Sequence, residues 1–512
     1  PKDPTRYLPV IWQSGLSFGQ RDYYLKTTKD FADLRAKFLA HAEKLLSLAG
    51  YNDAKAQAAQ ILALETKLAK AQWPLDKERI VDLTVTTKDR AATEKLAAGA
   101  PLGAILDAEN IHADTYRIGM PDVLTKTAQI YAGKPLGAWK AYLRYQTISA
   151  YGPYLAKPFA DEVFDFEQRT LNGVETQRAR WKRGVSLVNT ALGEAVGQLY
   201  VAKRFPASSK KEAEALVEYL RRAYGARIDK AAWMAPETKK EAQDKLAKVL
   251  AKIGYPDTWK SYDTVTIKAD DLVGDVKSAD AWAWNDQIGK LGKPVDRAEW
   301  LMTPQTDNAY YRPETNEICF PAAILQPPYF DPAADAVVNY GAIGATIGHE
   351  LSHGFDDQGR KQDAQGKLRD WWTPADAKRY DAEADKLAKQ FDAYEPLPGL
   401  HINGKQTLGE NIADLAGLRI AYDAYKLSLG GREAPVIDGL TGDQRFFLAY
   451  AASWKTIQRT ENQRDRLLSD VHSPAKYRVN GIVRNMDEWY TAFNVQPGDK
   501  LYLKPEARVR IW

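Results

Sequence analysis

One cysteine, Cys319, in 512 residues excludes an intramolecular disulfide, so stability must come from core packing and from any metal the chain holds. Cys319 itself reads as a small buried residue on a strand. An excess of one charge is also lacking: 71 basic against 67 acidic side chains leave +4, with no long run of either sign. That balance argues against nucleic-acid binding or a polybasic membrane surface. No apolar run approaches the roughly eighteen residues of a membrane-spanning helix. The start, Pro1 to Tyr7, has no charged stretch followed by an apolar one, and the missing initiator Met leads us to expect a processed or trimmed chain. No fixed repeat period is visible, which excludes a solenoid.

What is there is an ordinary globular composition, 45% hydrophobic and 27% charged, long enough for two or three domains. The first half reads as helical. Phe31, Leu34, Phe38, Leu45 and Leu48 recur at helical spacing until Gly50, and Asp53 can cap a second helix carrying Ile61, Leu64 and Leu68. Similar patterns run from Val185 to Phe205, Lys210 to Ala226 and Pro236 to Ile253. Around Ile253 to Asp257 the character changes to more Trp, Pro and short extended segments. We therefore place the main boundary there, dividing the chain into 1–253, mainly helical, and 254–512. Asn308–Tyr311 and Glu317–Phe320 flank a loop and predict a hairpin. Gln326 to Phe330 then breaks the chain, and helices return from Thr373 to Phe391 and from Leu408 to Lys426. Trp371 and Trp372 read as core aromatics.

The most specific local signal is His349-Glu350-Leu351-Ser352-His353. Helical residues four apart differ by about 40° in direction and about 6 Å in rise, so both imidazoles can reach one ion. Glu350 lies about 100° round the helix, near enough to act on a metal-activated water without being a ligand. The same spacing also suits two histidines that merely satisfy local hydrogen bonds. Catalytic zinc keeps three protein ligands and one open position, so a third donor is needed. A third His six residues on would complete the extended motif, but that position is Gly359. The best remaining donor is Glu410, which with Asp414 repeats the four-residue spacing on an apolar helix. Glu410 would bind the ion, while Asp414 would accept the free ring N–H of a ligand imidazole and fix its tautomer. The hairpin before the motif helix offers a strand edge on which an extended peptide can pair while its carbonyl faces the ion. His41, His112 and His401 have no companions at ligand spacing and read as structural or surface residues. His472, in a Pro-containing loop, is by itself only a weak candidate.

These residues resemble the neprilysin and endothelin-converting enzyme family of zinc metallopeptidases, and the chain looks like a bacterial member. The resemblance rests on Asn308–Tyr311, Phe320–Pro328, Gly348–Gly359, Gly409–Asp414, Asp470–Pro474 and Ile511-Trp512. Weaker similarity extends upstream through Trp233-Met234, Arg180–Lys182 and Gln13–Leu16 to Arg21–Leu25. It implies a mainly α fold with two helical lobes around a large internal cavity, a thermolysin-like catalytic core and a small β-sheet or hairpin beside the motif helix. Relatives begin with a further helical stretch that this sequence lacks.

Position by position, the resemblance implies one zinc ion per chain on His349, His353 and Glu410, with Glu350 as general base and Asp414 as the orienting acid. It raises His472 to a transition-state stabiliser oriented by Asp470, with Arg478 gripping a substrate carbonyl. Asn308 and Ala309 would hold the peptide backbone, and Ile324, Tyr329, Ala345, Thr346, Ser453 and Trp454 would line the primary side-chain pocket. Ala345, Thr346 and Ser453 are less apolar than is usual there. The implied activity is endopeptidase cleavage of small peptides on the amino side of hydrophobic residues, by a monomer exported to the periplasm or outer surface. A zinc aminopeptidase is the rival enzyme, although no Gly-x-Met-Glu-Asn segment is present for the substrate's free amine. A catalytically silent peptide-binding protein is the non-enzyme alternative.

Overall fold

The computed structural model describes residues 3–512. Two hydrophobic cores organise them. The first gathers Phe18, Phe31, Phe38, Leu45, Ile61 and Tyr145. Its helices Lys29–Leu48 and Ala54–Ala71 turn the predicted apolar stripes toward each other. Asp53 stands at the start of the second helix, but it accepts from the Gln57 side chain at 2.5 Å instead of capping the backbone. A small sheet of β1 (Val10–Ile11), β2 (Thr86–Lys88) and β3 (Tyr116–Ile118), in the order β1-β3-β2, was not expected. Strands of two or three residues are too short to show alternation.

The second core runs from Phe205 to Ile511 and surrounds the motif helix. The pattern at 185–205 splits at Leu192 into helices Arg180–Ala191 and Gly193–Arg204. The break seats Gly193 against Thr303, where a Cβ would lie 2.7 Å from the Thr303 methyl. The 210–226 pattern extends to a helix spanning Ala207–Lys230. The segment expected to stay helical to Ile253 instead ends at Ala247 and continues as β4 (Leu250–Gly254). Leu272–Ile288, read only as part of an extended region, is a helix, with the Asp271 carboxylate accepting from the Gly274 N–H at 2.9 Å.

The hairpin forms as expected from β5 (Tyr310–Arg312) and β6 (Glu317–Pro321), which are antiparallel. β4 joins β6 in parallel register, so the order β4-β6-β5 leaves β5 at the edge. Cys319 is buried on β6, and Trp371 and Trp372 are buried in the second core.

A short helix, Ala336–Asn339, passes through a π-helical turn at Tyr340–Gly344 into the motif helix, Ala345–His353. Its main neighbour is the helix Leu408–Ser428. The two backbones meet at a pair of glycines: a Cβ on Gly348 would lie 2.5 Å from the Gly417 carbonyl oxygen, and one on Gly417 would lie 2.4 Å from the His349 nitrogen. Any side chain at either position would force the helices apart.

Candidate active site

That close approach sets His349 and His353 opposite Glu410 and Asp414. The two imidazole Nε2 atoms lie 3.0 Å apart. Glu410 Oε2 is 3.2 Å from His349 Nε2, and its Oε1 is 3.6 Å from His353 Nε2. Each outward-facing Nδ1 meets a carboxylate: His349 on Asp414 at 2.8 Å, and His353 on Asp356 at 2.8 Å. With Nδ1–H donating to an acid, each ring presents its Nε2 lone pair to the same space as the Glu410 carboxylate.

This donor set fits a divalent cation. Two unprotonated imidazole nitrogens and a carboxylate repel one another unless a proton or metal lies among them. Glu410 Oε2 is buried and makes no well-formed hydrogen bond, despite lying 3.2 Å from His349 and 3.1 Å from His472. Nitrogen and carboxylate ligands suit zinc. Glu350 also places a donor atom within 4.8 Å of the two histidines. Gly359, where a third histidine would fall, cannot carry a side chain, because a Cβ there would sit 1.8 Å from the His353 carbonyl oxygen.

The local field is strongly polarised. Burial pushes the Glu350 carboxyl above the usual carboxylate range, against the opposing pull of His349 and His353. Burial acts on Glu410 in the same sense, but the His353 and His472 charges outweigh it and hold that group well below its ordinary value. His472 donates toward Asp470 at 2.6 Å and faces Glu410. Against the effect of burial, these two acids lift it to about 9, while burial of Asp470 is overcome by His472, leaving that carboxyl at about 2.

A cleft of about 620 Å³ opens over this cluster. Its walls bring together Asn308, Ala309, Ile324, Tyr329, Ala345, Thr346, Ser453, Trp454 and Arg478 with the acids and histidines. Asp470 stands behind His472, bonded to it. Arg478 is less free than a carbonyl clamp suggests: Nε and Nη2 each bond Asp414 at 2.7 Å, and its guanidinium lies 4.0 Å from the Trp454 ring centre. The cleft adjoins a second hollow that shares Tyr329, Trp454 and His472 and includes Gln168, Asn172 and Val174 from the first half. Of the remaining histidines, His41 is buried against Glu162, and His112 and His401 are exposed.

Three neighbours escaped the sequence reading. Asp356, the partner of His353, lies three residues after it, a spacing that could have drawn attention. Lys245 is fully enclosed and donates to the carbonyls of Gly354, Gly359 and Gln362 at 2.7, 2.8 and 2.7 Å, tying down the chain after the motif helix. Backbone acceptors leave no trace in sequence. Arg79 reaches Asp357 from the first half of the chain.

Family profiles described as peptidase family M13 match residues 308–509 and residues 1–256. Neprilysin-3 of Drosophila melanogaster is 31% identical, over 100% of this chain and 68% of its own. Zinc metalloprotease Zmp1 of Mycobacterium tuberculosis in complex with inhibitor superposes with a TM-score of 0.96 at 44% identity, over 100% of this chain and 79% of that one. In its open state the same metalloprotease gives a TM-score of 0.70, over 100% of this chain and 81% of that one.

Proposed function

Because this chain belongs to peptidase family M13 and is a zinc metalloendopeptidase, we propose that it is an oligopeptidase cutting small peptides on the amino side of hydrophobic residues. The observation that carries this reading is the convergence of His349 Nε2, His353 Nε2 and Glu410, with both Nδ1 atoms anchored on acids. His349, His353 and Glu410 would hold one zinc ion. When bound, zinc supplies a Lewis acid that polarises the scissile carbonyl and lowers the pKa of water from 15.7 to roughly 7.

The chain's own residues do the rest. Glu350 takes the proton of the attacking water and later delivers it to the departing amine, so no covalent intermediate is needed. His472, oriented by Asp470, donates to the carbonyl oxygen as negative charge gathers there. Asp414 fixes the tautomer of His349, and Arg478, steadied on Asp414, offers its remaining Nη1 to a substrate carbonyl. Asn308 and Ala309, leading into edge strand β5, hold the peptide backbone. Ile324, Tyr329 and Trp454 receive the hydrophobic side chain, with Ala345, Thr346 and Ser453 shaping the remaining wall.

In this reading 254–512 carries the chemistry, on a core that already begins at Phe205, and the part of 1–253 outside that core restricts access. The mycobacterial relative is known with inhibitor and in an open state, and we extend that behaviour here: peptide enters an open form and is cut in a closed one. Export to the periplasm or outer surface, as a monomer, suits a peptide-degrading role.

Digestion of a peptide library with and without chelator, read by mass spectrometry, tests the proposal. Internal cuts before hydrophobic residues in N-terminally blocked peptides should appear, vanish with chelator and return with zinc. Cleavage confined to free N-termini would indicate an aminopeptidase, and no cleavage by the zinc-loaded protein would overturn the reading. His472→Ala should lower kcat by about 10²–10³ with little change in KM, as for other lost oxyanion donors. A raised KM at constant kcat would instead assign His472 to ground-state binding.

A further inference from the structure

We propose that Arg79 is a positioning residue for this reaction: it latches the first half of the chain onto the metal-bearing segments and so couples closure to the setting of the site. This rests on the zinc-peptidase reading above. Arg79 follows the short helix Leu75–Glu78 and forms a two-bond pair with Asp357, Nη1 to Oδ2 at 2.7 Å and Nη2 to Oδ1 at 2.9 Å. Parallel bonds of this kind fix orientation as well as distance. Both side chains are largely shielded, at 16% and 12% exposure, which weakens screening by solvent.

The contact continues along the chain. The Val81 N–H donates to Gln358 Oε1 at 2.9 Å, and Lys361 Nζ donates to Asp82 at 2.5 Å. One segment of the first half thus grips residues 357–361, which leave the motif helix directly. Asp356, beside Asp357, holds the His353 ring and accepts from the Gln358 and Gly359 N–H groups at 2.8 and 2.6 Å. A shift of this loop therefore moves the acid that orients a proposed ligand.

Arg79 also bears on the second metal-bearing helix. A Cβ on Gly409 would lie 2.6 Å from Arg79 Nη2, 3.1 Å from Asp356 Oδ2 and 3.2 Å from Asp357 Oδ1. The guanidinium is seated one residue before Glu410, where a side chain on Gly409 would displace it. Other contacts join 1–253 to the rest: Tyr7 bonds Glu299, Tyr23 and Asn172 bond Asp465 and Asn462 on the helix Thr460–Ser469, and Lys245, which packs within the second core, holds carbonyls of the segment after His353. Arg79 comes from outside that core and lies beside both the segment after His353 and the residue before Glu410.

The test uses the zinc-loaded full chain with Arg79→Gln, Asp357→Asn and the double variant. Kinetics, zinc content and small-angle scattering, the last also on metal-free protein, are the readouts. Each single variant should lower kcat/KM about tenfold, mainly through KM, because a smaller closed fraction weakens apparent binding while saturating peptide restores closure. Zinc content should hold, the radius of gyration should rise, and the double variant should be no worse than either single one. Unchanged kcat/KM, a loss with unchanged scattering, or a double variant that multiplies the two losses would overturn the latch. Should Arg79→Gln fail to fold, Arg79→Lys, which keeps the charge but not the paired bonds, is measured the same way. An inactive wild-type chain would defeat the peptidase reading, while scattering would still decide the latch.

Discussion

Glu350→Gln is expected to leave zinc content unchanged while peptide turnover falls by about 10²–10⁴, the usual worth of a positioned general base. The replacement keeps shape and removes only the ability to accept a proton. Glu350 is 6% exposed and lines the cleft beside the two histidines, so bulk water is poorly placed to take over its task. Elemental analysis separates lost chemistry from lost metal. Full activity in this variant would remove Glu350 from the reaction.

Glu410→Ala should act on the metal itself. Its carboxylate spans both Nε2 atoms, at 3.2 Å from His349 and 3.6 Å from His353, and truncation removes the one carboxylate of this helix that faces both of them, since Asp414 meets only His349 Nδ1. Replacing a mere outer-shell partner costs about 10–100-fold in metal affinity, so loss of a ligand should exceed about 100-fold. Dialysed protein should then carry little zinc and little activity, and excess zinc should recover part of the activity. Unchanged zinc stoichiometry would remove Glu410 from the ligand set and direct attention to Glu350, the other carboxylate near both rings.

The residues most legible in sequence are those whose roles follow from spacing within one element. The five-residue motif, the Glu410/Asp414 pair and the hairpin all obey a local period, and the structure brings them together around one cleft. Legibility fails where the determinant is distant or short. β4 is only five residues long and its strand identity comes from pairing with β6, so the helix preceding it seemed to continue. The helix Leu272–Ile288 buries only Val276 and Ala279, too little to impress a stripe on its sequence. Asp357 lies 278 residues from Arg79, and Lys245 binds only carbonyls of the segment that follows the motif helix. No periodicity encodes such contacts.

The glycine pair Gly348 and Gly417 carries a further consequence for how this protein can vary. Where two helices are spaced by side chains, each change in the core resets the distance between whatever they carry. Here the spacing is a main-chain ruler, read from a carbonyl oxygen and an amide nitrogen common to every residue type. Substitutions elsewhere in the second core can therefore soften or stiffen the protein while the separation of His349 from Glu410 and Asp414 stays fixed. Stability and the spacing of these side chains become separately adjustable, and the surrounding core is free to drift as long as those two positions keep no side chain.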